Sequence, residues 1–206
     1  MIIKVCGLTQ AENIREVEEM HPDMMGFICW EGSPRNVAHV PDYLPQESVR
    51  VGVFVNPSLQ YLREQVDRLG LQRLQLHGTE TQAFCRAAAQ TTGLPVIKAI
   101  PISSVEDLEY SREYAYEPSV DLLLFDTRCP GGGGSGQKFD WQILQAYQGQ
   151  KPFLLAGGIG PDSEAQVRSL SHPRLAGIDL NSRFETVPGI KDVPLLTTYI
   201  QNIRQT

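Results

Sequence analysis

Short apolar runs rich in β-branched residues recur along the chain roughly every 20 to 30 residues, each about as long as a buried strand. The eight runs are Ile2–Cys6, Met24–Ile28, Val51–Val55, Leu74–Leu76, Val96–Ile100, Leu122–Phe125, Phe153–Ala156 and Ala176–Leu180. Between most of them, apolar positions repeat with the 3.6-residue period of an amphipathic helix. Continuous apolar strands that alternate with helices predict a parallel sheet covered on both faces.

Capping residues mark the predicted helix boundaries. The start signals are Thr9 with Glu12, Thr79 with Gln82, Asn56-Pro57-Ser58 and Gly160-Pro161-Asp162. Gly70 and Gly93 stand where helices should end, because glycine readily adopts the left-handed conformation of a C-terminal cap. The segment after Gly32 has few helix signals, so we expect the second crossover to be short or irregular.

Eight strand–helix units in 206 residues fit a small closed (β/α)8 barrel, an α/β TIM barrel in which residues 1–206 form a single domain. An open doubly wound sheet is the alternative. That fold expects a glycine-rich dinucleotide turn after its first strand, and Cys6-Gly7-Leu8-Thr9 stands there instead. The barrel is therefore the favoured fold.

Composition narrows the function classes. The chain is 41% hydrophobic and carries a net charge of -6, which predicts no binding to nucleic acid or to an anionic membrane. No apolar run is long enough to cross a bilayer, and no signal peptide precedes the first strand. The four cysteines form no CxxC pair and have no histidine at zinc spacing, so we expect a reduced cytoplasmic protein without a metal site.

The sixth apolar run leads into the most informative segment of the chain. Asp126 comes directly after this run, glycines follow at 131–134, and Phe139-Asp140-Trp141 ends the segment. This order places one carboxylate at the C-terminal end of a buried strand, beside a loop whose amides can approach a ligand closely. The alternative is a flexible linker between two domains, but a linker rarely joins a buried strand to an aromatic-anchored helix.

In a barrel of this class, functional side chains gather at the C-terminal ends of the strands. Side-chain alternation puts Lys4 and Cys6 on one face of the first strand, and it directs Asp126 and Asp179 into the same opening. Cys6 and Asp126 could then act as base and acid. A thiol has an ordinary pKa of about 8.5, which a base role needs lowered, whereas an acid role needs a raised carboxyl pKa. A buried apolar thiol and a loop-capping carboxylate are the structural alternatives.

An anion site is predicted after the seventh and eighth strands. A glycine-rich turn that contains Gly157 and Gly158 follows the seventh strand, and Asn181 and Ser182 follow the eighth. Loop amides at these two positions commonly hold a phosphate in this class of barrel. Tight turns without a ligand are the alternative.

Two further side chains lie at predicted strand exits. Arg35 follows Ser33-Pro34 after the second strand, and its guanidinium suits a planar carboxylate, although a surface arginine without a ligand is equally compatible. His77 follows the fourth strand and is a candidate substrate contact, although a structural histidine is the commoner outcome. The four histidines have no acid at a spacing that would indicate a metal.

Several motifs, in order, resemble those of phosphoribosylanthranilate isomerases. The matching pieces are Lys4-Val-Cys6-Gly7-Leu8-Thr9, Gly26-Phe27, Ser33-Pro34-Arg35, Gly52-Val-Phe-Val-Asn56, Gln75-Leu-His77-Gly78, Asp126-Thr127, Gly133-Gly134-Ser135-Gly136, Phe139-Asp140-Trp141, Leu155-Ala-Gly157-Gly158-Ile159, Gly177-Ile-Asp179 and Pro188-Gly-Ile-Lys191-Asp192. Each piece alone is weak, but the ordered combination covers essentially the whole chain and is specific.

The resemblance implies an Amadori rearrangement of N-(5-phosphoribosyl)anthranilate to 1-(2-carboxyphenylamino)-1-deoxyribulose 5-phosphate, a step of tryptophan biosynthesis that needs no cofactor or metal. By similarity, Asp126 is the general acid that opens the furanose ring, and Cys6 is the general base that removes the C2′ proton. Arg35 meets the anthranilate carboxylate, and Asp179 touches the sugar. The phosphate contacts implied by similarity are Gly157, Gly158, Asn181 and Ser182. The glycine loop after Asp126 would close over the substrate, and relatives of this class are monomers or homodimers.

The chain departs from the family pattern in two places. Arg183-Phe184 follows the serine where the family usually has a small residue, and the segment Cys29-Trp30-Glu31-Gly32 before Arg35 is unusual.

One alternative function is that of another phosphosugar barrel. It is either a synthase resembling indole-glycerol-phosphate synthase, with a lysine-rich rim, or a dual histidine/tryptophan isomerase, with an acid where Cys6 stands. The other is a non-catalytic barrel, which would have lost its acid or its base.

Overall fold

The computed structural model describes residues 1–127 and 140–205, which form a closed parallel barrel. Its strands, β1 to β8, are Ile2–Cys6, Met24–Ile28, Val49–Phe54, Arg73–Leu76, Val96–Ile102, Val120–Thr127, Phe153–Leu155 and Leu175–Leu180. Each strand pairs with the next along the chain, and β8 pairs with β1, where Ile3 lies opposite Ile178. The predicted (β/α)8 barrel is therefore confirmed, and the open doubly wound sheet is excluded.

Helices or short turns connect the strands. Helices α1 to α6 are Ala11–Glu18, Leu59–Leu69, Gln82–Thr92, Asp107–Ala115, Glu164–Ser169 and Val193–Arg204, and 3₁₀ turns occupy Trp141–Ala146, Pro161–Ser163 and Ser182–Phe184. Residues 29–48, between β2 and β3, contain no helix, which confirms the expected irregular crossover. After β8, Glu185–Val187 (β9) and Ile190–Lys191 (β10) form an antiparallel hairpin that the apolar pattern did not predict.

Two of the four helix-start signals are wrong. Helix α1 begins without a side-chain cap, and the Thr9 hydroxyl instead donates to the Gly189 carbonyl at 3.0 Å. Helix α3 is capped by Thr81, whose hydroxyl oxygen accepts the Phe84 amide, and not by Thr79. Two threonines only two residues apart offer the same capping group, so the path of the preceding loop selects between them.

Gly160-Pro161-Asp162 starts a 3₁₀ turn with its proline in the first position, whereas Asn56-Pro57-Ser58 marks the start of α2 but leaves Pro57 before the helix. Ser58 caps α2, where its hydroxyl oxygen accepts the Tyr61 amide at 3.1 Å. Gly70 and Gly93 end α2 and α3 in the left-handed conformation, with φ values of 55° and 71°. Glycine carries no Cβ that would strain this conformation, which explains why both helices end there.

Side-chain alternation separates two apolar layers. One layer fills the barrel and includes Ile97, Leu122, Leu124 and Leu154, whereas the other packs between the strands and the helices. Burying one such side chain stabilises the fold by about 1.5 to 3 kcal/mol. Because Leu122 and Leu124 point into the barrel, the same alternation carries Asp126 to its open end.

Candidate active site

The C-terminal ends of β1, β6 and β8 bring the predicted thiol and carboxylates to one opening. Lys4 and Asp179 are register partners in β1 and β8, and Lys4 Nζ donates to Asp179 Oδ1 at 2.9 Å. Burial opposes the charge of Lys4, but Asp179 and Cys6 outweigh burial and raise the pKa of Lys4. Burial raises the pKa of Asp179, and the negative charge of Asp126 adds to that rise. The structure thus brings together the side chains that alternation predicts.

The Cys6 thiol is buried close to two lysines. Burial raises the pKa of the Cys6 thiol above its ordinary value, and the positive charges of Lys4 and Lys191 only partly offset this rise. Gly26 of β2 leaves room for the thiol, since a Cβ there would lie 2.7 Å from Cys6 Sγ. The free protein therefore lacks the lowered thiol pKa that a base role requires, and the thiolate is its minor form at neutral pH.

Asp126 lies against His77 at the end of β6. Asp126 Oδ1 accepts the Thr127 amide at 2.8 Å, and Oδ2 lies 3.2 Å from His77 Nε2. On the other side of the ring, Gln75 Nε2 lies 3.0 Å from His77 Nδ1. When Gln75 donates to Nδ1, the imidazole proton lies on Nε2 and faces the carboxylate. His77 is therefore part of the site, and Gln75 is a contact that sequence reasoning missed.

Arg35 is held by a carboxylate of the protein itself. Its Nε and Nη2 atoms donate to Glu185 at 2.7 to 3.0 Å, and Lys191 Nζ donates to Glu185 Oε1 at 2.7 Å. Burial raises the pKa of the Glu185 carboxyl, but the bonds from Arg35 and the charge of Lys191 outweigh burial and lower it. Burial lowers the pKa of Lys191 despite the neighbouring carboxylate.

Sequence reasoning did not identify Glu185 or Lys191 as site residues. Both lie in the β9–β10 hairpin, which is too short and too polar to show a strand pattern. The turn signal Pro188-Gly189 between them was the available clue, since it folds the chain back on itself after the eighth strand.

The loops after β7 and β8 bring the predicted phosphate residues to the same side of the opening. Gly157 and Gly158 have φ values of 79° and 72°, which other residues rarely adopt. Asn181 Oδ1 accepts from Lys191 Nζ at 2.9 Å, and Ser182 begins the 3₁₀ turn after β8. The loop after β8 is thus tied through Lys191 to the carboxylate that holds Arg35.

Arg183, one departure from the family pattern, joins these two loops. Arg183 Nη2 donates to Asp162 Oδ1 at 2.9 Å, and a Cβ at Gly160 would lie 2.6 Å from Arg183 Nε. Its charge is therefore paired with Asp162 at the protein surface.

The described residues show no further ligand cluster. Within residues 1–127 and 140–205, no group of His, Cys, Asp and Glu side chains could hold a metal ion. No helix in those ranges has both the length and the apolarity of a membrane span. Cys6, Cys29 and Cys85 are buried free thiols. Cys129 and the glycine segment, with its expected closure over the substrate, lie outside the described residues.

Known proteins are similar to this chain in sequence and in fold. Residues 3–202 match the family model described as N-(5'-phosphoribosyl)anthranilate (PRA) isomerase. The chain is similar to the N-(5'-phosphoribosyl)anthranilate isomerase of Phocaeicola vulgatus, with 47% identity over 205 residues that cover 100% of this chain and 98% of that protein.

Solved structures of the same family also resemble this chain. The phosphoribosyl anthranilate isomerase from Thermus thermophilus has a TM-score of 0.86 at 29% identity, and the match covers 100% of this chain and 99% of that one. A phosphoribosyl anthranilate isomerase in complex with reduced 1-(o-carboxyphenylamino)-1-deoxyribulose 5-phosphate has a TM-score of 0.82 at 27% identity, over 100% of both chains. The chain therefore belongs to the family of N-(5'-phosphoribosyl)anthranilate isomerases, which are isomerases of tryptophan biosynthesis.

Proposed function

We propose that this protein catalyses the Amadori rearrangement of N-(5-phosphoribosyl)anthranilate to 1-(2-carboxyphenylamino)-1-deoxyribulose 5-phosphate. The observation that carries the proposal is the convergence of Cys6 and Asp126, from β1 and β6, on one opening. A base and an acid that come from different strands can reach two different atoms of one substrate. The reaction moves protons within one molecule, so the proposal requires no cofactor and no metal.

Asp126 acts as the general acid in this proposal. Its carboxyl proton passes to the furanose ring oxygen while the bond from C1′ to that oxygen breaks. The electron pair of the anthranilate nitrogen forms the C=N bond of a Schiff base. His77, which lies 3.2 Å from Asp126, contacts the substrate beside the opened ring and holds the carboxyl group in place.

Cys6 acts as the general base. Its thiolate takes the proton from C2′, and the electrons of that C–H bond form the C1′=C2′ bond of an enolamine while the nitrogen accepts an electron pair. Tautomerisation of the enolamine gives the ketose product. Because burial raises the pKa of Cys6, the reactive thiolate is a minority, which Lys4 and Lys191 stabilise. Each of the two proton transfers contributes about 10² to 10⁴ in rate.

The remaining side chains bind and orient the substrate. We place the phosphate on the loop groups of Gly157, Gly158, Asn181 and Ser182, because glycines at positive φ let backbone amides approach an anion closely. Asp179 contacts the sugar, and Arg35 meets the anthranilate carboxylate. The relative that holds the reduced product analogue supports a ligand with these three parts, namely phosphate, sugar and carboxylated ring.

Growth of a tryptophan auxotroph that lacks this isomerase tests the proposal. The gene should restore growth, and Cys6→Ala and Asp126→Asn should each lower turnover by at least about hundredfold while still binding the reduced product analogue. Cys85→Ala, which changes another buried thiol on α3, is the matched control and should keep its turnover. Near-normal turnover in either site variant would refute that residue's role, and a well-expressed protein that fails to restore growth would refute the function.

Three wider expectations remain proposals. We expect no nucleic acid or membrane partner, a monomer or a homodimer in solution, and a location in the cytoplasm, where the buried free thiols of Cys6, Cys29 and Cys85 stay reduced. Analytical ultracentrifugation checks the second expectation, and an assembly larger than a dimer would contradict it.

A further inference from the structure

Three buried charges meet beside the site, and the proposed chemistry gives Glu185 no role and uses Lys191 only for its effect on Cys6. Glu185 accepts hydrogen bonds from Arg35, from Lys191 and from the Gly189 amide, and its side chain is only 3% exposed. The Lys191 side chain is fully buried, and Arg35 is nearly so. Ionised groups are costly to bury, so a cluster of three calls for an explanation beyond packing. We call Arg35, Glu185 and Lys191 the charge triad.

The triad leaves one edge of the Arg35 guanidinium for another partner. Glu185 takes the edge formed by Nε and Nη2, and the Nη1 side of the fork faces away from it. A guanidinium can bind one carboxylate on each of two edges. The stem of Arg35 packs against Gly7, where a Cβ would lie 2.9 Å from Arg35 Cδ, and Gly7 directly follows Cys6. The Arg35 side chain is thus packed against the backbone that directly follows Cys6.

Charge counting shows why a third member is needed. An Arg35–Glu185 pair alone is neutral and would offer a second carboxylate no net attraction. Lys191 adds a positive charge whose ammonium group donates to Glu185 Oε1 and to Asn181 Oδ1. The nearby Lys4–Asp179 pair cancels itself. The charge triad therefore carries a net charge of one positive unit.

We propose that Lys191 and Glu185 determine how strongly the site selects a carboxylated substrate. Glu185 is a positioning residue that orients Arg35, and Lys191 cancels the charge of Glu185 so that Arg35 stays attractive to the anthranilate carboxylate. The inference rests on the proposed function, because that function supplies the carboxylate. It assigns the selectivity to two side chains that need not touch the substrate themselves.

Two ligands separate the contribution of the ring carboxylate from binding of the rest of the molecule. One is the reduced product analogue, and the other is its counterpart without the ring carboxylate, 1-anilino-1-deoxyribitol 5-phosphate. Calorimetry gives a dissociation constant for each ligand. The constant of the ligand without the carboxylate, divided by that of the reduced product analogue, reports the contribution of the carboxylate alone. Lys191→Met should lower the ratio about tenfold or more, since the triad becomes neutral, whereas loss of the Lys191–Asn181 bond affects the phosphate end of both ligands and cancels in the ratio.

The decisive experiment restores the net charge of the triad without restoring the lysine. The double variant Glu185→Gln/Lys191→Met again has one net positive charge, on Arg35, and the side-chain carbonyl oxygen of the introduced glutamine can still accept from the guanidinium. The double variant should therefore recover most of the ratio that Lys191→Met loses. A lysine that matters only for packing predicts no such recovery, because the double variant lacks the same lysine. Lys191→Gln is the second neutral variant if Lys191→Met does not fold.

A control and two outcomes complete the test. Glu117→Gln removes the buried carboxylate of a remote ion pair with Arg86 and should leave the ratio unchanged. An unchanged ratio in both neutral lysine variants, or a double variant no better than Lys191→Met, would overturn the inference. If the wild-type protein bound neither ligand, the proposed function itself would be wrong. That result is distinct from a wild-type ratio that responds to none of the changes.

Discussion

At the residue scale, the Cys6 thiol shows how burial and charge compete. Burial raises the pKa of Cys6 above its ordinary value, although Lys4 and Lys191 act in the opposite direction. The ultraviolet absorbance of the thiolate, measured as wild type minus Cys6→Ser, should therefore be nearly absent at neutral pH and should grow at higher pH than that of an exposed thiol. Lys191→Met removes a stabilising cation and should move the titration to still higher pH. A thiolate signal complete at neutral pH would contradict this account.

The contact between Gln75 and His77 makes a second prediction at this scale. Gln75 is buried, and its Nε2 faces His77 Nδ1 while the other ring nitrogen faces Asp126. Gln75→Met removes the group that selects the imidazole tautomer, so the turnover number should fall roughly tenfold or more with a smaller change in KM. Gln65→Met changes a buried glutamine on α2 and serves as the control. Equal losses in the two variants would indicate a stability effect only.

At the element scale, the two candidate threonine caps of α3 provide a matched pair. The Thr81 hydroxyl oxygen accepts the Phe84 amide, whereas Thr79 lies in the loop before the helix. Thr81→Ala should lower the free energy of unfolding by about 1 kcal/mol, because a helix amide loses its partner. Thr79→Ala should cost less, and urea unfolding of both variants measures the difference. A larger loss at Thr79 would show that the capping residue is misassigned.

The elements that the sequence predicts best are those whose pattern is local. Each strand of the barrel contains an apolar run that signals it, although β3 begins at Val49 and β6 extends to Thr127, beyond the apolar residues of those runs. The β9–β10 hairpin escapes prediction because Glu185 and Lys191 resemble solvated charges in a short polar segment. Their role emerges only when the closed barrel brings Arg35, which is 150 residues distant along the chain, to Glu185.

At the scale of the whole molecule, closure of the barrel also builds the site. Strand alternation is sufficient to predict that Cys6, Asp126 and Asp179 share one opening, because it follows from strand direction and the two-residue repeat. Pairwise contacts such as His77 with Asp126 are beyond that reasoning, since they depend on the register of separate strands. The seam between β1 and β8, where these two strands pair and close the barrel, also holds Lys4 against Asp179 in the candidate site.

The Lys4–Asp179 ion pair crosses this seam, and it joins residues 175 positions apart. Asp179→Asn leaves a buried ammonium without its counter-charge, so the free energy of unfolding should fall by about 3 to 5 kcal/mol. Asp121→Asn breaks the more exposed Arg73–Asp121 pair and should cost under about 1 kcal/mol. Urea unfolding compares the two variants.

A double replacement then separates stability from catalysis at the same seam. Lys4→Met/Asp179→Leu removes both charges and should regain most of the stability lost in Asp179→Asn, because apolar side chains of similar volume can replace a buried pair at little cost. Its turnover should nevertheless stay low, since Lys4 no longer stabilises the Cys6 thiolate and the proposed sugar contact at Asp179 is gone. A stable double variant with full turnover would show that the pair serves only to close the barrel.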